Sequence, residues 1–208
     1  SVAIGFDAGQ QSQGIESIAI GHEAARLSQG QNAVAIGSYA GNSSQGNSSI
    51  AIGVNAGESI QGDNSVAIGY GAGAFSQNSN SIAIGFFAAY TNQGNNAIAL
   101  GQFAGRTSQG AESMAMGYEA GRLFQGIRAI AFGRQSGYQT QGQQAIAIGV
   151  SAASESQGAD AITIGTSSGQ VSQGSKSVAI GYQAAGFNQS YSAVAIGPFS
   201  AITGQGAE

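Results

Sequence analysis

Residues 33–64 read A-V-A-I-G-S-Y-A-G-N-S-S-Q-G-N-S and then S-I-A-I-G-V-N-A-G-E-S-I-Q-G-D-N, two units of sixteen residues with one pattern. The pattern recurs without insertion through all 208 residues and gives thirteen units, the first of which begins at Ser1. Its consensus is S/A-V/I-A-I-G-x-x-A-G/A-x-x-S/T-Q-G-x-x. Self-similarity at a fixed period predicts a repeat architecture in which each unit packs only on its neighbours.

The first four places of each unit alternate between small and large side chains, which is the two-residue period of a β-strand. The second and fourth places are always large and apolar, and they form the only regular aliphatic signal in the chain. We therefore expect these side chains to form the structural core ladder, which in the first four units consists of Val2, Ile4, Ile18, Ile20, Val34, Ile36, Ile50 and Ile52.

Two further places never vary. The fifth place is always Gly, which has no Cβ and permits the bend that ends the strand. A second short strand is expected from about the eighth place to an invariant Gln at the thirteenth. Stacked Gln amides can hydrogen-bond along the repeat axis, as in cross-β structures, or can instead satisfy backbone groups of the turn. Both interpretations stay open for these turn and ladder residues, which begin with Gly5, Gln13, Gly21, Gln29, Gly37 and Gln45.

A unit of two short strands and two turns cannot bury its apolar side chains alone, whereas stacked units pair each strand with its equivalent in the next coil. The sequence thus predicts an all-β fold, a parallel β-solenoid or β-roll of thirteen 16-residue coils with two short strands per coil. Residues 1–208 form a single repeat domain in this prediction. The terminal units match the consensus and are not caps, which suggests an internal segment of a longer fibre.

The composition excludes several classes of function. There is no Cys, so disulfides, thiol nucleophiles and thiolate metal sites are absent. No apolar run approaches 18 residues, so no membrane insertion is expected in this segment. The net charge is −4 with only six Lys and Arg, which argues against nucleic acid as a partner.

Candidate chemistry is sparse. The only His, His22, lies at a variable turn place beside Glu23, and a surface turn residue is the better interpretation. The acidic residues also occupy variable places and do not converge on a catalytic pair or metal cage. We therefore predict no enzyme, no catalytic or metal site and no cofactor.

The other side of the first strand carries only small residues, Ser or Ala at the first place and Ala or Thr at the third. A flat face of small side chains suits close approach of another copy of the same strand. We expect a homo-oligomer on this face, with end-to-end filaments as a further possibility, and a plain solvent face as the alternative.

The segments N-S-V-A-I-G at 64–69, N-S-I-A-I-G at 80–85 and K-S-V-A-I-G at 176–181 resemble the S-V-A-I-G motif of trimeric autotransporter adhesin heads. The longer form A-I-G-x-x-A-G-x-x-x-Q-G is also similar to repeats in fibre proteins of bacteriophages and large DNA viruses. The resemblance implies a left-handed parallel β-roll assembled as a trimer around a common axis. The unit of 16 residues is longer than the typical adhesin-head repeat.

Nine of the sixteen aromatic residues occupy the sixth and seventh places, just after the first turn. Exposed aromatic clusters mark interaction surfaces, while the alternative is that the rings cover the corner of a thin core. These possible partner-binding aromatics are Phe6, Tyr39, Tyr70, Phe86, Phe87, Phe103, Tyr118, Tyr182 and Phe199.

Four charged residues share places on adjacent coils. Glu112 and Arg128 could pair along the axis. Arg106 and Arg122 share the tenth place and would repel each other unless an acidic group lies near. They mark either a contact with an acidic group on a partner or a solvated turn.

These observations favour a structural protein that forms a rigid fibre or filament, located extracellularly, on a cell surface or on a virion surface. The alternative is an adhesin head that binds host matrix or a glycan through its turn residues. An ice-binding solenoid would need a regular array of Thr, where this chain has Ser and Ala.

Overall fold

The computed structural model describes residues 1–205, which contain short parallel strands and no helix. They fall into two compact units, Ser1–Ser108 and the residues from Gln109 onward. The strands of the first unit, in chain order, are β1 (Val2–Ile4), β2 (Ile18–Ile20), β3 (Ser28–Gln29), β4 (Val34–Ile36), β5 (Ser44–Gln45), β6 (Ile50–Ile52), β7 (Ile60–Gln61), β8 (Val66–Ile68), β9 (Phe75–Gln77), β10 (Ile82–Ile84), β11 (Thr91–Gln93) and β12 (Ile98–Leu100).

The division between the units falls within β13 (Thr107–Gln109). The strands that follow it in the second unit are β14 (Met114–Met116), β15 (Phe124–Gln125), β16 (Ile130–Phe132), β17 (Thr140–Gln141), β18 (Ile146–Ile148), β19 (Ser156–Gln157), β20 (Ile162–Ile164), β21 (Val171–Gln173), β22 (Val178–Ile180), β23 (Phe187–Gln189), β24 (Val194–Ile196) and β25 (Thr203–Gln205).

Each unit is built from two parallel sheets in which every strand pairs with its equivalent one coil away. In the first sheet of the first unit, β10 pairs with β8 and β12, and Ala83 lies opposite Ala67 and Ala99. Paired residues on neighbouring strands are sixteen positions apart in the sequence, in the second sheet as in the first. The predicted parallel β-solenoid with 16-residue coils and two strands per coil is therefore confirmed. The prediction of a single repeat domain stays a prediction.

The interior of each coil is filled by small side chains. Ala35, Ala51 and Ala67 at the third place are completely buried, as are Ala40 and Ala56 at the eighth. Serines at the first place point inward too, and their hydroxyls donate to a backbone carbonyl three residues earlier, as Ser49 Oγ does to Gly46 O at 2.7 Å. The core therefore consists of methyl groups, satisfied hydroxyls and backbone.

The prediction that the large aliphatic side chains form the core is wrong for the single chain. Those of the second and fourth places project outward from the first sheet and remain half-buried or exposed. The small-residue face, in turn, is the interior and not a surface for another copy. The physical reason is that methyl groups, hydroxyls and one Gln amide per coil fill the space between the two sheets, which leaves no room for large aliphatic side chains. The eight residues concerned are Val2, Ile4, Ile18, Ile20, Val34, Ile36, Ile50 and Ile52.

The invariant Gln crosses this interior. In at least eleven of the described coils its Nε2 donates to the carbonyl of the second-place residue on the facing strand, as Gln77 does to Val66 O at 2.8 Å. Amide-to-amide bonds between neighbouring coils are made in addition, as from Gln77 to Gln93 Oε1 at 3.1 Å. The amide row is interrupted, since Gln61 Oε1 is buried without a partner. The bond that recurs is thus the one that ties the two sheets together.

Thr163 is the single departure from Ala at the third place. Its side chain is fully buried, and its hydroxyl accepts a bond from Gln157 Nε2 at 2.9 Å while it donates to Gln173 Oε1. The hydroxyl therefore enters the row of amides and leaves no unsatisfied donor in the core.

The fifth-place Gly is required by the approach of the next coil. Gly69 has a φ of +127°, and a Cβ at this position would lie 2.7 Å from the carbonyl oxygen of Gly85. Because that atom is backbone, no side-chain rotation relieves the overlap. Gly73, at the ninth place, has a φ of +54°, and a Cβ there would meet the flexible amide of Gln77. Other coils carry Ala at the ninth place, among them Ala89 with a φ of 45°.

We expect Gly69→Ala to destabilise the protein by about 3 kcal/mol or more, since both φ and contact are unfavourable. The matched control Gly73→Ala, four residues away, should cost about 1–2 kcal/mol. Urea unfolding followed by circular dichroism measures both. Equal losses for the two variants would contradict the assigned role of the fifth-place Gly.

The contribution of the buried amide can be tested at Gln141, which is 2% exposed and donates to Ile130 O and Ala145 O. Gln141→Met keeps the side-chain shape but removes the donors, so we expect a loss of about 1–3 kcal/mol in unfolding free energy. The exposed Gln143 of the same coil is the control, and Gln143→Met should change stability by less than about 0.5 kcal/mol. A Gln141→Met variant as stable as the control would contradict the assigned role of this bond.

Candidate functional site

The outward face of the first sheet of each unit is a row of aliphatic side chains, here called the aliphatic face. It is formed in the first unit by the second and fourth places of β1, β2, β4, β6, β8, β10 and β12, and in the second unit by the same places of β14, β16, β18, β20, β22 and β24. The fourth-place side chains Ile36, Ile84 and Phe132 are 36%, 38% and 50% exposed. A monomeric protein rarely leaves so long a run of apolar side chains in contact with water. The aliphatic face is therefore the first candidate interaction surface.

The turn after the first strand positions the sixth- and seventh-place side chains. The seventh-place residue has left-handed backbone, with a φ of 58° at Tyr39 and 51° at Phe87. This conformation lets the turn amide bond to the coil before it, as Tyr39 N does to His22 O at 2.9 Å. For bulky residues, this backbone conformation raises the conformational free energy by about 1–2 kcal/mol each. Aromatic residues at this place must be supported by contacts that their rings make.

The nine aromatic residues singled out by their places do not form one uniform stripe. Phe6 stacks on His22 at 5.5 Å between ring centroids, and His22 contacts Tyr39 edge-on. In the second unit, Tyr182 and Phe199 contact each other edge-on at 5.2 Å. The single His thus lies at an exposed turn between two aromatic rings, with its Nε2 4.0 Å from Oε1 of Glu23.

A larger group lies within residues 70–106 and is here called the aromatic cluster. Phe86 is its centre, with centroid distances of 4.5 Å to Phe87, 5.4 Å to Tyr70 and 5.5 Å to Phe103. Phe87 lies nearly parallel to Phe103 at 6.1 Å. The members of the cluster are Tyr70, Phe75, Phe86, Phe87, Tyr90 and Phe103, together with Arg106.

Two rings of this cluster were missed from the sequence, whereas Arg106 was expected to mark either a contact with an acidic group on a partner or a solvated turn. Tyr90 and Phe75 occupy the tenth and eleventh places, at each of which one other coil has an aromatic residue, Tyr138 and Phe187 respectively. Tyr90 reaches Phe87 at 4.8 Å and Phe75 at 5.1 Å, so the cluster extends across the turn from the first sheet toward the second. The sequence did contain one indication of the cluster, because its six aromatic residues fall within 34 positions.

Arg106 lies among the rings. Its guanidinium carbon is 5.4 Å from the centroid of Phe103 and 5.9 Å from those of Phe87 and Tyr90. Its Nε is buried and has no hydrogen-bond partner. Arg106 and Arg122, which share the tenth place on adjacent coils, therefore differ, because Arg122 forms an ion pair with Glu119 at 3.3 Å.

Other charges pair on exposed surfaces. Glu112 and Arg128 form the expected axial ion pair, with Arg128 Nε donating to the carboxylate at 2.8 Å. The hydrogen bond and charge of Arg128 hold the pKa of Glu112 below its ordinary value. In the described part of the chain, no three His, Asp or Glu side chains converge on a possible metal site. Residues 1–205 also contain no helix that could cross a lipid bilayer.

Comparison with known families finds a match in the middle of the first unit. Residues 61–88 match the YadA head domain repeat, in two copies. No curated protein matches the chain. The matched residues include two of the S-V-A-I-G type motifs and four rings of the aromatic cluster. The predicted resemblance to adhesin heads is thereby confirmed over residues 61–88, which are similar to a structural repeat of a surface adhesin and not to a catalytic domain.

Proposed function

We propose that the chain is a surface-exposed structural module of the adhesin-head type, which assembles with copies of itself through the aliphatic face. The observation that carries the proposal is the exposure of this face. Each coil hides only small side chains, so the burial of large aliphatic groups, worth about 1.5–3 kcal/mol for each, is left incomplete in one chain. Association of identical faces removes this surface from water.

A homo-oligomer fits the aliphatic face better than an unrelated partner does. The face repeats with the period of the coil, and a second copy of the chain has the same spacing. Closed symmetry is the rule for such assemblies, and it places identical faces around one axis. A trimer is the copy number implied by the resemblance to trimeric autotransporter adhesin heads. The uninterrupted repeat of sixteen residues supports a role as part of a rigid fibre, on a cell surface or on a virion.

The proposed assembly is tested with a pair of substitutions on coils three and six. Ile36→Glu together with Ile84→Glu places charges in the aliphatic face, where burial of a carboxylate without a partner is strongly unfavourable. Ser44→Glu together with Asn92→Glu introduces the same charges on the same coils, at exposed positions of the second sheet. The second pair is the matched control.

Sedimentation equilibrium should give three times the chain mass for the unchanged protein and for the control pair. The Ile36→Glu/Ile84→Glu variant should dissociate at protein concentrations at least about tenfold higher than the control. A monomeric unchanged protein, or a first pair that dissociates no more readily than the control, would contradict assembly through this face.

A second function is favoured by the aromatic cluster, namely binding of a ligand at the turns. Tyr70 and Phe86 are 48% and 43% exposed, although they contact neighbouring rings. These side chains are not needed to fill the coil, whose interior is complete with alanine. The cluster is therefore surplus to folding, and a role in adhesion accounts for it.

A further inference from the structure

We infer that the aromatic cluster and Arg106 bind an acidic saccharide, through a sugar ring against the aromatic side chains and a carboxylate against the guanidinium. The inference rests on the proposed surface location of the chain, but it does not depend on the oligomeric state.

The cation supplies the first argument. Arg106 lies within 5.4–5.9 Å of three ring centroids and forms no ion pair with a carboxylate of residues 1–205. The guanidinium is a planar fork of donors that matches a carboxylate. Because its Nε is buried, as is that of Arg122, the donors of Arg106 that would meet a ligand carboxylate are its two terminal nitrogens. An anionic group of a ligand is the partner that complements this charge.

The rings supply the second argument. Aromatic faces are electron-rich and attract weakly polarised C–H groups, which line the apolar face of a pyranose ring. Tyr70 and Phe86 are exposed at the sixth place, while Phe87 and Tyr90 continue the surface across the turn. The cluster therefore places an aromatic surface beside a cation. An acidic sugar complements the aromatic surface with its apolar ring face and the cation with its carboxylate.

Size distinguishes this ligand from a protein partner. The cluster occupies three consecutive coils, and at about 4.8 Å per coil it extends about 15 Å. The cluster has seven residues, whereas a stable protein interface buries about 800 Å² with roughly 20–30 residues on each partner. A short oligosaccharide fits the smaller area.

The location of the cluster is compatible with self-association through the aliphatic face. Phe87, Tyr90 and Arg106 belong to the seventh and tenth places, beyond the end of the first strand at the fourth place. The route from the aliphatic face to these groups passes around the turn. Only the sixth-place rings, Tyr70 and Phe86, adjoin the face itself.

The experiment measures binding of defined saccharides to the complete 208-residue chain by isothermal titration calorimetry. Sialyllactose and a hyaluronate tetrasaccharide carry the carboxylate on two different sugars, and their methyl esters are the uncharged controls. We expect at least one acid to bind and its ester to bind at least about tenfold more weakly. The acid that binds identifies the source of the carboxylate. Binding of neither acid, or equal binding of acid and ester, would overturn the inference.

Variants locate the site. Arg106→Gln should weaken binding at least about tenfold, and Arg106→Lys should restore only part of the loss. Arg134→Gln is the matched control, since Arg134 lies 6.0 Å from the ring of Tyr118 outside the cluster. Phe86→Leu should weaken binding of the acid, and Tyr182→Leu should not. A variant Arg106→Gln that binds like the unchanged protein, or one in which both arginine variants lose binding equally, would overturn the assignment.

Two additional measurements separate this inference from the proposed assembly. Circular dichroism melting shows that each variant is folded before its binding is interpreted. Sedimentation of the same samples reports the oligomeric state, so a monomeric protein that binds the acid contradicts the assembly alone. A trimer that captures an acidic protein but no saccharide would overturn the saccharide assignment and leave the assembly intact.

Discussion

The close approach of the two sheets within each coil is the constraint on which the other features depend. The interior accepts methyl groups, hydroxyls and one amide per coil, as the complete burial of Ala51 and Ala67 shows. Because the Cβ atoms of a strand alternate between two faces, filling the inside with small residues forces the large ones outward. The amide of Gln77 then bonds the facing strand at Val66 O, where an aliphatic side chain could supply no donor. The narrow interior thus determines which side chains lie inside the coil and which lie outside.

The same constraint connects the fold to function. A coil whose interior is made of alanine gains little from burial, and its aliphatic side chains can be covered only by another molecule. In the proposed assembly, self-association is therefore part of how the chain is stabilised. The turns remain free to vary because their amides bond from coil to coil whatever the side chain is, as between Tyr39 and His22. Because the turns vary while the strands keep the same sequence pattern, a ligand site can arise at the turns without a change in the core.

The aromatic cluster illustrates this freedom. Phe87 and Phe103 occupy a place at which other coils have Glu, Asn, Gln or Ser, all with the same left-handed backbone. The ring contacts compensate for the conformational cost of these bulky residues, and Arg106 adds a cation that no described carboxylate neutralises. Strain and surplus apolar surface at one location point to a function for the residues and not to a need of the fold.

The sequence by itself determined the parallel solenoid, its 16-residue register, its two strands per coil and the paired charges of Glu112 and Arg128, because each depends only on spacing along the chain. It also indicated aromatic turn residues such as Phe86 and Phe87. Small and large side chains alternate along the first strand, and this pattern does not indicate which of the two faces is inside. The tertiary structure alone decided this, since the choice depends on the space between the sheets. It likewise brought Tyr90 and Arg106 to Phe87, because contacts across a turn depend on where side chains point as well as on their places in the unit.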